Sequence, residues 1–163
     1  MIDEATSMAT APDLERVRVL FYALGVDPLD IDEDGCFSLS HGEEDLLYFQ
    51  ILEGLAAMKC TINVGNLPAV DRARAMRSVL EHNLSFVCAD IPGTLSVAPA
   101  SNEVYWSSLA ALDKAMPDGS IRPSTPQEFG CLLDEMTGVA QYCRQALAQS
   151  FEPLPAMRAT DLA

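Results

Sequence analysis

The segment TPQEFGCLLDEMTGVAQYCRQAL, from Thr125 to Leu147, constrains the fold more than any other stretch. Phe129, Leu132, Leu133, Met136, Val139, Ala140, Cys143 and Leu147 recur at helical spacing. They trace one apolar stripe over about six turns at 3.6 residues each. The start is marked chemically: Thr125 is placed to cap, Pro126 takes the first helical position, and Glu128 completes a capping box. A helix this long with one apolar side needs a broad apolar surface to cover, and a sheet provides one.

The rest of the chain supplies strands and two shorter helices. Asp13 to Leu24 reads as a helix whose stripe is Leu14, Val17, Leu20, Phe21 and Leu24, opened by Pro12 and closed by Gly25. Val19 and Tyr22 lie off that stripe. Three strands are expected next: Cys36 to Ser40, Leu46 to Leu52, and Met58 to Val64. The last alternates strictly, with Met58, Cys60, Ile62 and Val64 on one side. LLYFQIL is apolar on both faces, which predicts a strand covered on each side. The linkers HGEED and EGLA are short enough for hairpins. A second helix is expected from Pro68 to about Asn83, with Ala69, Val70, Ala73, Met76, Leu80 and Leu84 sharing a face. Strands Thr94 to Ala98 and Val104 to Ser108 follow, then a loop from Lys114 to Ser124. The order is α-β-β-β-α-β-β-α, an α+β domain with helices packed on a twisted antiparallel sheet. Residues 12–149 make the single domain, and the segments 1–11 and 150–163 lack a sustained pattern and are expected to be flexible.

Composition narrows the function. The chain has 163 residues, 24 acids against 10 bases, and a formal charge of −14, so a phosphate backbone meets repulsion and nucleic-acid binding is disfavoured. No run approaches the roughly 20 apolar residues of a membrane span, and MIDEATSMAT has no signal-peptide pattern. These features predict a soluble, intracellular protein without membrane insertion. Cys36, Cys60, Cys88, Cys131 and Cys143 are odd in number and contain no CxxC pair, so reduced thiols are expected, most of them in the core.

One stretch raises the question of metal. DIDEDG, Asp30 to Gly35, begins like a calcium loop with Asp30, Asp32 and Asp34 at alternate positions. Position 12 is His41, which cannot supply two oxygens, and the flanks read as a broken helix and a strand. An acidic turn before the first strand is the expectation, with no metal and no cofactor. His41 and His82 are expected at the surface, and neither falls in HExxH, GxSxG or a metal-spaced Cys/His pattern. Cys36 with His41 is the one nucleophile–base pair that proximity allows. No catalytic residue is assigned, and the chain is not expected to be an enzyme.

The ordered set LFYALG, DEDGCFSLS, DLLYFQIL, INVGNLPAVDRARAMRSVLEHNLSF, TLSVAPASNEVYW and the last helix resembles the class I type III secretion chaperones, the CesT/SycE-like Tir chaperone family. The resemblance spans Leu14 to Leu147 and is strongest in LP-x-x-D-R followed by L-E-x-N-L-x-F. It implies a bacterial cytoplasmic homodimer that binds the N-terminal segment of a secreted effector protein. That segment would be held non-globular by strand addition and pocket anchoring. By position, the resemblance implies a dimer interface of Val70, Ala73, Met76, Arg77 and Leu80. It implies effector binding by Leu20, Leu24, Phe37, Leu39, Leu47 and Phe49. The connection from Ala110 to Thr125 and the tail after Phe151 depart from the family pattern. Two alternatives stand beside it: a same-fold regulator or adaptor binding a non-exported protein, and a calcium-responsive protein acting through Asp30, Asp32 and Asp34.

Overall fold

The computed structural model describes residues 12–41 and 45–151, with the backbone alone at 41 and 45. The expectations for residues 1–11, for the hairpin turn at 42–44, for the tail beyond 151 and for the His41 side chain lie outside them. The described chain runs α1 (Pro12–Ala23), β1 (Cys36–His41), β2 (Asp45–Leu52), β3 (Ala57–Asn66), α2 (Arg72–Cys88), β4 (Thr94–Val97) and β5 (Glu103–Ala111). A small hairpin, β6 (Asp113–Ala115) and β7 (Ile121–Pro123), precedes α3 (Pro126–Phe151). The main sheet has the order β1-β2-β3-β5-β4 and every pairing in it is antiparallel. This is the α+β fold that the periodicities predict, with one hairpin added.

α3 covers the sheet. Phe129, Met136, Ala140, Cys143 and Leu147 are buried along one side of it, against the inward residues Met58, Cys60, Ile62 and Val64 of β3 and Val104, Trp106 and Ala110 of β5. The capping box forms as its sequence requires: the Thr125 N–H donates to Glu128 Oε2 at 3.0 Å and the Glu128 N–H to Thr125 Oγ1 at 3.3 Å. Glu128 also pairs with Arg122 at 2.7 Å and Lys114 at 2.6 Å, fastening the β6–β7 hairpin to the start of α3. Arg122 first, then Lys114 and the Thr125 N–H, hold the Glu128 carboxyl well below the usual range. Its stabilising contribution is present above the ordinary glutamate pKa and is lost only as pH falls through the lowered value. The hairpin escapes periodicity because its strands are three residues each, too short to alternate.

α1 is pinned at both ends. Asp13 is 5% exposed, and its carboxylate accepts from the Gly54 N–H at 2.9 Å and the Ala56 N–H at 3.3 Å, which ties the helix to the β2–β3 turn. Arg16 pairs with Asp13 and Asp113 and donates to the Leu112 carbonyl. At the other end the Phe21 ring sits edge-on to Phe37, Phe49 and Phe129, with centroids 5.3–5.5 Å away.

Three elements differ from expectation. α2 begins at Arg72 rather than Pro68 and continues to Cys88. Asp71 at its head adopts a left-handed φ of 57°, so Pro68 to Asp71 forms a turn, and the Leu67 N–H is held by the Asn102 carbonyl. Phe86 extends the helix because it continues the buried line of Ala75 and Val79. The β2 strand is covered on one side only. Phe49 and Ile51 point into the core, whereas Leu46, Tyr48 and Gln50 face outward and are exposed. Of the five cysteines only Cys60 and Cys143 are buried; Cys36 is half-exposed, and Cys88 and Cys131 are exposed on helices.

Gly93 has a φ of +100°, and a Cβ there would lie 2.6 Å from Trp106 Nε1 and 2.7 Å from the Ser107 carbonyl oxygen. Trp106 is fully buried and the carbonyl belongs to the β5 backbone, so neither yields easily. Gly93→Ala should therefore cost on the order of 2–4 kcal/mol, read as a lower urea midpoint at unchanged slope. Burial pushes the Cys60 and Cys143 thiols up to about 12. Native-state iodoacetamide treatment at pH 8 should label Cys88 and Cys131 and spare Cys60 and Cys143 until urea is added, as read by peptide mass spectrometry.

Candidate partner-binding surfaces

The acidic turn is a folded local structure. Asp32 Oδ1 accepts from the Asp34 N–H at 3.0 Å and the Cys36 N–H at 2.7 Å, and Gly35 supplies the positive φ that closes the turn. With one Asp32 oxygen engaged by backbone, the loop is an Asx turn leading into β1. Among the described residues, no group of three or more His, Cys, Asp or Glu side chains converges to hold a metal ion. Partial burial first, and then the Asp32 and Asp34 carboxylates, push the Cys36 thiol pKa up. That makes it a weaker nucleophile at neutral pH. His82 is half-buried, parallel to the Phe86 ring with centroids 6.4 Å apart and 3.3 Å from the Ser150 hydroxyl.

The apolar surface is organised differently. A cleft of about 610 Å³ opens where the end of α1 and the following turn meet β1, β2 and α3. Leu24, Leu39, Leu47 and Phe49 line it together with Phe21, Val26 and Leu133. Leu24 is 39% exposed, and Leu39 and Leu47 are half-buried. Asp27 and Asp134 also line the cleft, and no basic side chain among the described residues does. β1 is an edge strand of the sheet, so its outer backbone has no strand partner among the described residues and lies beside these apolar walls. Leu20 and Phe37 do not line the cleft; both are buried in the core, Phe37 stacked on Phe49 at 4.8 Å. Phe21, Val26 and Leu133 line the cleft without having been expected among the binding residues. Their positions read as stripe, turn and stripe, and only the meeting of three elements makes them one wall.

The second apolar surface is the outer side of α2 together with Val70 in the turn before it. Val70 is 82% exposed, Leu80 64%, Leu84 65% and Val87 77%, with Ala73 and Arg77 exposed between them. Met76 is half-buried at the margin and packs against the core. The opposite side of the helix, Ala75, Val79 and Phe86, fills the core. Of the stripe read from the sequence, Ala69 and Val70 precede the helix, and Ala73, Leu80 and Leu84 face outward on it.

The third surface is the uncovered sheet face. One register row crosses all five strands through Ser38, Tyr48, Thr61, Ser107 and Thr94. Thr61 and Ser107 hydroxyls lie 3.0 Å apart, and Lys59 is the one basic residue, among those described, that lines the hollow of about 870 Å³ above them. Such a polar face is what an antiparallel sheet presents to water.

No family model and no curated protein matches the sequence. Solved structures do match the fold. The ExsC–ExsE complex contains a chain with a TM-score of 0.60 at 15% identity, over 82% of this chain and 92% of that one. The Yersinia pestis type III secretion chaperone SycH, in complex with a stable fragment of YscM2, gives 0.53 at 10% identity over 80% and 98%. YbjN from E. coli, proposed as a transcription regulator, gives 0.55 at 10% identity over 89% and 98%. At these identities the likeness establishes the architecture: this chain has the fold found in type III secretion chaperones.

Proposed function

We propose that the protein is a dimeric cytoplasmic chaperone that binds the N-terminal segment of a type III secretion effector and keeps it non-globular. The observation that carries this reading is the apolar cleft of Leu24, Leu39, Leu47 and Leu133 beside the open edge of β1. An extended segment pairing with β1 would place every second side chain toward those walls, and unfolded chain is what such a groove selects. The recognition is non-covalent and needs no catalytic group or cofactor. The likeness to SycH in complex with a partner fragment supports the same reading at the level of fold.

The outer side of α2 supplies the dimer contact in this proposal. Burying a Val or Leu fully contributes roughly 1.5–3 kcal/mol. Val70, Leu80, Leu84 and Val87 from each copy give a gain on the order of 10 kcal/mol, comparable with the roughly 4–15 kcal/mol cost of association. Val70, Ala73, Met76, Arg77 and Leu80 are the proposed contacts, extended by Leu84 and Val87. Leu80→Glu leaves the buried side untouched and should yield a folded monomer by sedimentation velocity. An intact dimer would place the interface elsewhere.

A same-fold regulator that binds a non-exported protein is the second reading, favoured by the likeness to YbjN. Native mass spectrometry of complexes gently purified from the source bacterium separates the two. Two copies on one larger protein, with that protein exported by the type III machine, is the expected result. A client that stays inside the cell would support the regulator. Leu47→Asp, on the cleft wall, should weaken client capture at least about tenfold without changing the melting temperature by more than a few degrees.

A further inference from the structure

The two edges of the sheet are finished differently, and the difference marks a second groove. At β4 the outer edge is sealed by a side chain. The Asn83 amide donates to the Leu95 carbonyl at 2.9 Å and accepts the Leu95 N–H at 2.7 Å, as a neighbouring strand would. That seal covers only a short strand. β4 pairing begins at Thr94 with Ser107, so Ser108 to Ala111 of β5 run on with no strand partner on that side among the described residues. Beside this bare edge lies an apolar cavity of about 480 Å³, walled by the side of α3 opposite the first cleft. Leu132, Val139 and Tyr142 form the α3 wall, Ile91 also lines it, and Leu109 and Tyr142 are 61% and 56% exposed. The charged residues that line it are Asp90 and Glu135, and no basic side chain among the described residues joins them.

We propose that this groove is a second peptide-docking site, taking an extended segment of a partner protein that carries apolar side chains and a Lys or Arg. Four bare residues of β5 span about 13 Å, enough to pair a segment of four or five residues in extended form. Pairing with the edge directs alternate side chains onto Leu132 and Val139. A basic side chain on the segment meets Glu135 from α3 and Asp90 from the α2–β4 turn. The two carboxylates select against an acidic segment, because a like charge held there has no compensating cation. The site does not depend on the cleft at β1 or on whether the client of that cleft is secreted.

The test uses the full chain and three fluorescein-labelled peptides of alternating valine and serine, differing only in a central Arg, Glu or Gln. Fluorescence anisotropy should show the Arg peptide binding about tenfold more tightly than the Glu peptide at low salt. The exposed double charge reversal Asp90→Lys/Glu135→Lys should invert that order. A photo-crosslinking residue in place of Tyr142 should capture the Arg peptide, and Leu47→Asp should leave its affinity unchanged. Equal affinity for the three peptides, binding by none, or an order unmoved by the charge reversal would overturn the inference. Loss of binding in Leu47→Asp would also overturn it, because the peptides would then occupy the β1 cleft and the proposed function would stand without a second groove.

Discussion

Phe129, Met136, Ala140, Cys143 and Leu147 lie along one side of α3 and are shut away from water by a sheet that is covered on one face only. That contact sets the places of the other elements. α1 is drawn against the start of α3 by the Phe21 cluster, while Asp13 and Arg16 hold its head to the β2–β3 turn and the start of β6. α2 reaches the same core through Ala75, Val79 and Phe86 and is tied to β4 by Asn83. A helix packed on a sheet has two flanks as well as a buried side. On α3 the flank holding Leu133 faces the end of α1, and the flank holding Leu132 and Val139 faces the bare edge of β5. Each flank becomes one wall of an apolar groove beside strand backbone that has no partner on that side among the described residues: β1 in the first case, the end of β5 in the second.

Electrostatics adds selectivity to those grooves. With a formal charge of −14 the surface repels other acidic chains. The bases are few, and several are committed to internal ties: Arg16 to Asp13 and Asp113, and Lys114 and Arg122 to Glu128. Carboxylates line both grooves, and among the described residues no basic side chain lines either. A partner segment that is apolar and carries positive charge gains in both respects, first by reaching the surface and then by filling the walls.

Much of the fold is legible in the chain itself, because the deciding interactions are local. The capping box of Thr125 and Glu128 forms within four residues, the alternation of Met58 to Val64 fixes which side of β3 is buried, and the Asx turn at Asp32 follows from a side chain bonding its own backbone. The β6–β7 hairpin is not legible, since strands of three residues carry no period. The reach of α2 departs from its pattern for a related reason. Its apolar residues lie on two sides, and periodicity reports that a stripe exists without saying which stripe meets the core.

The candidate sites divide along the same line. Leu24, Leu39, Leu47 and Phe49 stand out in the sequence and do meet in one cleft, whereas Leu20 and Phe37, equally apolar and equally regular, are sealed beneath it. Sequence determined the order of elements, the acidity, the cap that starts α3 and the acidic turn that leads into β1, all of them properties of neighbouring residues. Tertiary structure alone decided that β2 is bare on one face, that α2 turns Leu80, Leu84 and Val87 away from its own core, and that β5 outruns β4. Those outcomes depend on how many layers the chain has to cover its sheet, and no local pattern carries that count.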